Sequence, residues 1–459
     1  MDTYDAIIIG SGQGGTPLAK KLAKAGWKTA LIEKEHAGGT CVNVGCTPTK
    51  TMIASAKAIH TIRRAAEWGI EADLRKINMD AIIQRKKDVV DLFRNGAQEG
   101  LEATENLKLV WGRACFRSAD VLEIELNDGG SLQMKSDRII ISTGTSQHIP
   151  DVEGIEDSGY LTSTTLMELR EIPRHLLIIG GGYIALEFGQ MYRRFGSEVT
   201  ILTTGDQLLD HEDSDVSAEV KRILEEEGIR VFCQAKSEKV EKQNGDLLLR
   251  FDAEGKEQQL SCSHLLVATG RVPNSADLNT ESIGIETNEE GYIQVNDHLE
   301  TSVKGIYAIG DVKGGPEFTH VAYNDHLILL QNLLEGKRET IADRLLPYCM
   351  FTDPQLGRVG MTEKEARQRG FNIRVACIPM SRVARAIETG DERGLMKAVV
   401  DADSGQILGA AILGEEGGEV MSVLQMAMIG EMDHQAIRNM MFAHPLYSES
   451  LNNLFMKLE

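Results

Sequence analysis

The sequence predicts an α/β protein with two three-layer domains built on βαβ units, followed by a C-terminal α+β domain. Three observations lead there. The segments Ala6-Ile7-Ile8-Ile9-Gly10-Ser11-Gly12-Gln13-Gly14-Gly15 and Leu176-Leu177-Ile178-Ile179-Gly180-Gly181-Gly182-Tyr183-Ile184-Ala185 share one pattern of apolar strand, Gly-rich turn and helix. Each helix runs into a second apolar strand, Thr29–Ile32 or Val199–Leu202, which completes a βαβ unit. From about Leu345 the texture changes, and strands alternate with methionine-rich helices up to a helical tail.

A strand over Tyr4–Ile9 opens the chain, and a helix follows to Ala25. Two more helices are expected over about Pro48–Glu67 and Met79–Thr104. The apolar strand Ile139–Ile141 leads to Thr143 and Gly144. Its counterpart Leu265–Val267 leads to Gly270 and Arg271 and closes the second unit.

Composition narrows the function. A chain of 459 residues exceeds a single core. Its 45 glycines against 10 prolines suit many tight βα turns. The formal charge is −20, from 49 basic and 69 acidic residues, with no basic block. Nucleic acid and anionic membrane surfaces are therefore excluded as expected partners. No apolar run reaches the ~18 residues of a membrane span, and the N-terminus lacks the pattern of a signal peptide. A cytoplasmic location is predicted. Seven cysteines are too few for a secreted disulfide framework.

Gly10, Gly12 and Gly15 let a pyrophosphate approach a helix N-terminus closely, and Glu33 ends the second strand where a carboxylate can accept from a ribose hydroxyl. Gly180, Gly182 and Ala185 form a second such turn, with Ala in third place. Its second strand ends in Thr203 and Thr204, with Asp206 beyond, and no cation stands there to grip a 2′-phosphate. That favours NADH over NADPH.

Cys41 and Cys46, five residues apart at the start of a helix, can come within disulfide range. Pro48 suits the first helical turn. A thiolate at Cys46 would gain from the helix's positive end, and Lys50 adds a cation one turn later. The residues alone leave open a redox pair, an inert buried pair, or half of a metal site with no second close Cys/His pair to complete it. Cys115, Cys233, Cys262, Cys349 and Cys377 are expected to be buried or inert. Met421, Met426, Met428, Met432, Met440 and Met441 are expected to pack in a core or dimer interface rather than bind metal, and His320 either to touch a bound flavin or to be structural.

Gly39-Thr40-Cys41-Val42-Asn43-Val44-Gly45-Cys46 through Lys50 resembles the redox-active disulfide motif of the pyridine nucleotide–disulfide oxidoreductases, the family of dihydrolipoamide dehydrogenase, glutathione reductase and mercuric reductase. The resemblance spans essentially the whole chain. It includes Ala268–Asn274, the run from Thr301 to Asp311, and Phe351–Pro354 with Val359–Glu363. It implies FAD and either NADH or NADPH as cofactors. Cofactor contacts would come from Gly10, Gly12, Gly15, Glu33, Thr40, Lys50, Thr143, Gly144, Gly180, Gly182, Ala185, Gly270, Arg271, Gly310 and Asp311. It also implies that Cys46 is the flavin-proximal thiol, that Cys41 exchanges with substrate, and that Lys50 and Glu187 pair beside the flavin. His444 and Glu449 would form an acid–base dyad supplied across a homodimer interface. The implied architecture has a split FAD domain (1–149 and 272–344), an NAD(P) domain (150–271) and an interface domain (345–459).

Leu446 replaces the family's usual Thr after Pro445, and no C-terminal cysteine pair follows Cys377. The expected activity is NAD(P)H-dependent reduction of a small-molecule disulfide or thiol-reactive oxidant, with no dedicated metal site. The alternatives are a mercuric or copper ion reductase, a dihydrolipoamide dehydrogenase running in the oxidising direction, and a flavin-bearing redox sensor.

Overall fold

A computed structural model describes residues 1–458. Two compact units divide the chain. The first holds residues 1–51, 83–148 and 270–344; the second holds 52–82, 149–269 and the described residues from 345 onward.

An eight-stranded sheet organises the first unit. Its parallel half runs Thr29–Glu33, Ala6–Ile9, Ile139–Ile141 and Ile306–Ala308. Ile7 pairs with both Ala30 and Ile139, and Ile139 pairs with Ile306. Every residue of the three innermost of these strands is buried, as expected where both faces of a parallel sheet are covered. The helix Gly15–Lys24 covers one face through Leu18, Ala19, Leu22 and Ala23. The other half is antiparallel, through Leu107–Ser118, Val121–Leu126 and Ser131–Lys135. The predicted opening strand over Tyr4–Ile9 is divided. Asp2–Thr3 pairs with the strand Ser131–Lys135, and Tyr4 still donates to Lys135, but the Asp5 amide switches partner to Lys28.

The second unit contains a parallel sheet, ordered Arg230–Phe232, Glu198–Leu202, His175–Ile179, His264–Val267. A three-stranded antiparallel sheet over residues 235–262 accompanies it. A five-stranded antiparallel sheet follows in the order Pro347–Met350, Gln355–Gly360, Ile407–Gly414, Leu395–Asp401, Ile373–Pro379. The helix Gly417–Ile429 packs Val420, Met421 and Leu424 into the core of this last sheet. Met421 is thus buried, whereas Met426, Met432, Met440 and Met441 are exposed on the single chain. Among the described residues, no helix is long and apolar enough to cross a membrane.

The helix expected from Pro48 begins two residues earlier and spans Cys46–Arg64, followed by a 3-10 turn over Ala65–Trp68. A short helix, Gly39–Asn43, precedes it. The next long helix is Met79–Glu102.

Buried charge ties the segments of the second unit together. Arg358, its side chain 3% exposed, donates from Nε to both carboxylate oxygens of Glu212 at 3.1 Å. Tyr348 also bonds Glu212 through its hydroxyl. Lys397 reaches Asp213 at 3.2 Å and Glu363 at 3.0 Å. Removing one member of such a pair strands a buried charge. Arg358→Leu is therefore expected to lower the unfolding free energy by about 3–5 kcal/mol, read from the urea midpoint. Lys337→Ala, which breaks an exposed pair with Glu335, should leave the midpoint almost unchanged.

Candidate active site

The first Gly-rich turn and the cysteine segment are built as one piece. The strand Ala6–Ile9 ends at Gly10, whose φ of +103° suits glycine and whose Cβ would lie 2.3 Å from the Ser142 carbonyl oxygen. The chain then enters the helix Gly15–Lys24, so the N-terminal amides of that helix face the turn. Glu33 is buried. Its Oε2 accepts from the Ser11 amide at 2.9 Å and hydroxyl at 2.6 Å, and its Oε1 accepts from the Glu35 amide at 2.9 Å. Ser11 Oγ in turn accepts from the Gly38 amide at 3.2 Å. One serine thus joins the end of the second strand to the start of the cysteine segment.

That segment crosses the turn at Gly39, where a Cβ would lie 2.6 Å from the Gly12 Cα. Asn43 fastens the short helix by donating to the carbonyls of Ala37 at 3.0 Å and Gly39 at 2.9 Å. Arg94, from the helix Met79–Glu102, donates to Asn43 Oδ1 at 2.6 Å. Ser11 and Arg94 carry no signal in the sequence that marks this role; Asn43 stands inside the motif.

Cys41 sits in the middle of the short helix, half-buried, and Cys46 opens the long helix, exposed. The two thiols are hydrogen-bonded to one another. That bond, reinforced by burial, pushes the Cys41 thiol well above its ordinary value. Cys46 Sγ also lies 3.3 Å from the Thr319 hydroxyl, at the start of the helix Thr319–Glu335. His320 stacks on Phe318 with ring centroids 5.3 Å apart.

A second cluster in the same unit gathers Thr143, Gly144, Gly270, Arg271, Gly310 and Asp311. Arg271 donates to the Thr145 hydroxyl and carbonyl, each at 2.7 Å. Asn274 bridges to Thr143 in both directions, at 2.8 and 2.9 Å, and its amide donates to the Gly144 carbonyl at 2.9 Å. Burial pushes the Asp311 carboxyl up, against the opposing charges of Arg271 and Lys313. The Gly310 amide is held by Asp325, a fully buried carboxylate that also meets Lys313 at 3.5 Å and Arg344 at 2.7 Å. Sequence reading missed Asp325.

In the second unit, Gly180 follows the strand His175–Ile179 and receives its backbone partner from Leu202. Gly182 caps the helix Tyr183–Phe195, which carries Ala185 and Glu187 in its first turns. Glu187 is buried and accepts from the Phe351 amide at 2.8 Å. Thr203 is buried, and Asp206 accepts from Gln234 at 2.8 Å. Near the C-terminus, His444 Nδ1 lies 2.9 Å from Glu449 Oε2 and 3.2 Å from Oε1, with the imidazole exposed. Lys50 belongs to the first unit and Glu187 to the second. Of the remaining cysteines, Cys262 is fully buried and Cys115, Cys233 and Cys349 are half-buried, while Cys377 is exposed because it faces outward from the strand Ile373–Pro379, whose neighbours Ala376 and Ile378 face the core. Burial still pushes the Cys377 thiol up.

Known proteins share this architecture. Residues 4–325 match the family model of the pyridine nucleotide-disulphide oxidoreductases, and residues 346–455 match the dimerisation domain of the same family. The probable pyridine nucleotide-disulfide oxidoreductase RclA of Escherichia coli (strain K12) is 38% identical, covering 99% of both chains. A mercuric reductase of Lysinibacillus sphaericus is 35% identical over 93% of this chain and 77% of its own length. The solved Cu(II) complex of the HOCl-induced flavoprotein disulfide reductase RclA from Escherichia coli superposes with a TM-score of 0.91 at 36% identity, covering 100% of both chains. Turn, cysteine pair, dimerisation domain and full-length similarity agree: the chain belongs to the pyridine nucleotide-disulphide oxidoreductase family, oxidoreductases that use a flavin and a pyridine nucleotide and act on sulfur.

Proposed function

We propose that the chain is an FAD-dependent NAD(P)H oxidoreductase that reduces a disulfide or a thiol-reactive oxidant through Cys41 and Cys46. The observation that carries this reading is the hydrogen-bonded cysteine pair seated on the first dinucleotide turn. In the proposed assignment, residues 1–149 and 272–344 bind FAD, 150–271 bind the nicotinamide cofactor, and 345–459 form a homodimer interface. The first turn fits a pyrophosphate, because Gly10, Gly12 and Gly15 bring backbone close to a helix N-terminus. Glu33 would hold the ribose, and Thr40, Thr143, Gly144, Arg271, Gly310 and Asp311 would line the rest. When bound, FAD would supply two-electron transfer between the reduced nicotinamide and the Cys41–Cys46 disulfide. Gly180, Gly182, Ala185 and Gly270 would seat the nicotinamide cofactor. The absence of a cation from Thr203 to Asp206 supports NADH.

The thiols divide the work by where the proton rests. The bond to Cys46 and burial hold the proton on Cys41, while Cys46 stands at the helix N-terminus with Lys50 one turn on, a setting that favours a thiolate. Exchange then balances simply. Cys41, giving up its proton, attacks a substrate sulfur; a mixed disulfide forms and one substrate thiolate leaves. His444 of the partner subunit, held by Glu449, would take the Cys41 proton and return it to the leaving thiolate. Cys46 attacks Cys41 next, releasing the second half of the substrate as a thiolate, which takes a proton from solvent, and closing the disulfide.

Similarity to a mercuric reductase and to a solved Cu(II) complex supports a second reading, in which a soft metal ion accepts the electrons at the same two thiolates.

Cys41→Ser should leave Cys46 a standing thiolate and give a long-wavelength absorbance before any reductant is added. If Cys46→Ser shows that band and Cys41→Ser does not, the assignment of the two thiols is reversed. His444→Ala should slow the substrate half-reaction by about 10²–10⁴-fold while flavin reduction by NADH stays near wild type, as stopped-flow would resolve. Unchanged turnover with every disulfide or oxidant the wild type accepts, or sustained NAD(P)H oxidation with Hg(II) alone, would overturn the disulfide reading.

A further inference from the structure

Asp353 lies in the turn between the strands Pro347–Met350 and Gln355–Gly360 and is buried. One face of the helix Tyr183–Phe195 grips that turn with three side chains spaced i, i+3 and i+7. Glu187 accepts from the Phe351 amide at 2.8 Å. Gln190 accepts from the Asp353 amide and donates to the Asp353 carbonyl, both at 2.8 Å. Arg194, its side chain 3% exposed, donates to Asp353 Oδ2 at 2.7 Å and to the Asp353 carbonyl at 3.2 Å. Glu227 braces Arg194 from the other side at 2.7 and 2.9 Å.

A second helix reaches the same carboxylate. Lys57, on the helix Cys46–Arg64, lies 3.4 Å from Asp353 Oδ1. The spacings coincide. Arg194 follows Glu187 by seven residues, and Lys57 follows Lys50 by seven, so each sits two turns along its helix on the same face. A fixed point two turns away sets both the axial position and the rotation of a rigid helix. Burial works against the charge on Asp353, but Arg194 and Lys57 overcome it and hold the carboxyl at about 2, so the anchor is ionised throughout the neutral range.

We propose that Asp353 is a positioning residue, fixing the helix that carries Glu187 through Arg194 and the helix that carries Lys50 through Lys57. The proposal rests on the reading that Glu187 and Lys50 serve the flavin. It extends that reading to a residue outside the cysteine and dinucleotide motifs, in the segment assigned to dimerisation. A misplacement of about 1 Å can cost a reaction about 100-fold.

The test uses the flavin-loaded full chain with Asp353→Asn, Lys57→Met and Glu187→Gln. Lys57 is 43% exposed, so its variant stays informative even if Asp353→Asn folds poorly. Asp353→Asn should slow flavin reduction by NADH by about 10- to 100-fold, with a smaller loss for Lys57→Met. A readout independent of turnover is the pH profile for alkylation of the reduced Cys46. It should move to higher pH in Lys57→Met as the Lys50 charge loses its place. If Glu187→Gln slows flavin reduction while folded Asp353→Asn and Lys57→Met match wild type in rate and in alkylation profile, the positioning role is overturned and the reading of Glu187 stands. If Glu187→Gln also matches wild type, that reading falls, and the positioning role with it.

Discussion

Where the cysteine segment crosses the first Gly-rich turn, a Cβ on Gly39 would lie 2.6 Å from the Gly12 Cα. No side chain other than hydrogen fits between the two backbones. The approach brings the start of the redox helix to the turn that would hold a pyrophosphate, and the other contacts of the site follow from it. Ser11 can bridge Glu33 to Gly38, and Asn43 can be reached by Arg94. Cys46 comes to open a helix of 19 residues. The closeness of the cysteine segment to the Gly-rich turn is thus written into backbone packing rather than into long, flexible side chains.

Burial of charge is the second organising constraint. The second unit encloses Arg194, Arg358 and Lys397 almost completely, each matched with carboxylates. Desolvation makes such groups costly unless their partners are fixed, so these networks hold segments that are remote in sequence in one arrangement. The first unit follows the same rule at Asp325, whose ion pairs and bond to the Gly310 amide hold the turn carrying Asp311. The exposed methionines of the C-terminal region are of a different kind. Met441 is 94% exposed on the single chain, a surface that suits burial against a second copy in a family with a dimerisation domain.

The features that could be read from the sequence are those fixed by short spacing. Gly10, Gly12 and Gly15 with Glu33, the Cys41–Cys46 pair, and the His444–Glu449 pair each lie within a few turns of chain, and the structure brings each group together. The two βαβ units were legible because strand and helix periodicities differ and glycine marks the turns between them. The partnerships that escaped are long-range. Arg94 meets Asn43 across 51 positions, and Arg194 meets Asp353 across 159. No local pattern distinguishes an arginine destined for a buried carboxylate from one on a solvated helix face. The short helix Gly39–Asn43 escaped because two of its residues are the glycine and asparagine that usually signal a turn. Whether Cys377 is buried was not legible from its residue type, because alternation along an antiparallel strand decides which side it faces.

A redox-active Cys41–Cys46 pair must store electrons, and counting them is the most direct measurement. In an anaerobic titration with NADH or dithionite, the wild-type protein should take up two electrons per flavin more than Cys46→Ser, because a disulfide is a two-electron couple. Equal uptake by the two proteins would mean that Cys41 and Cys46 hold no electrons and that reduction of substrate proceeds without them.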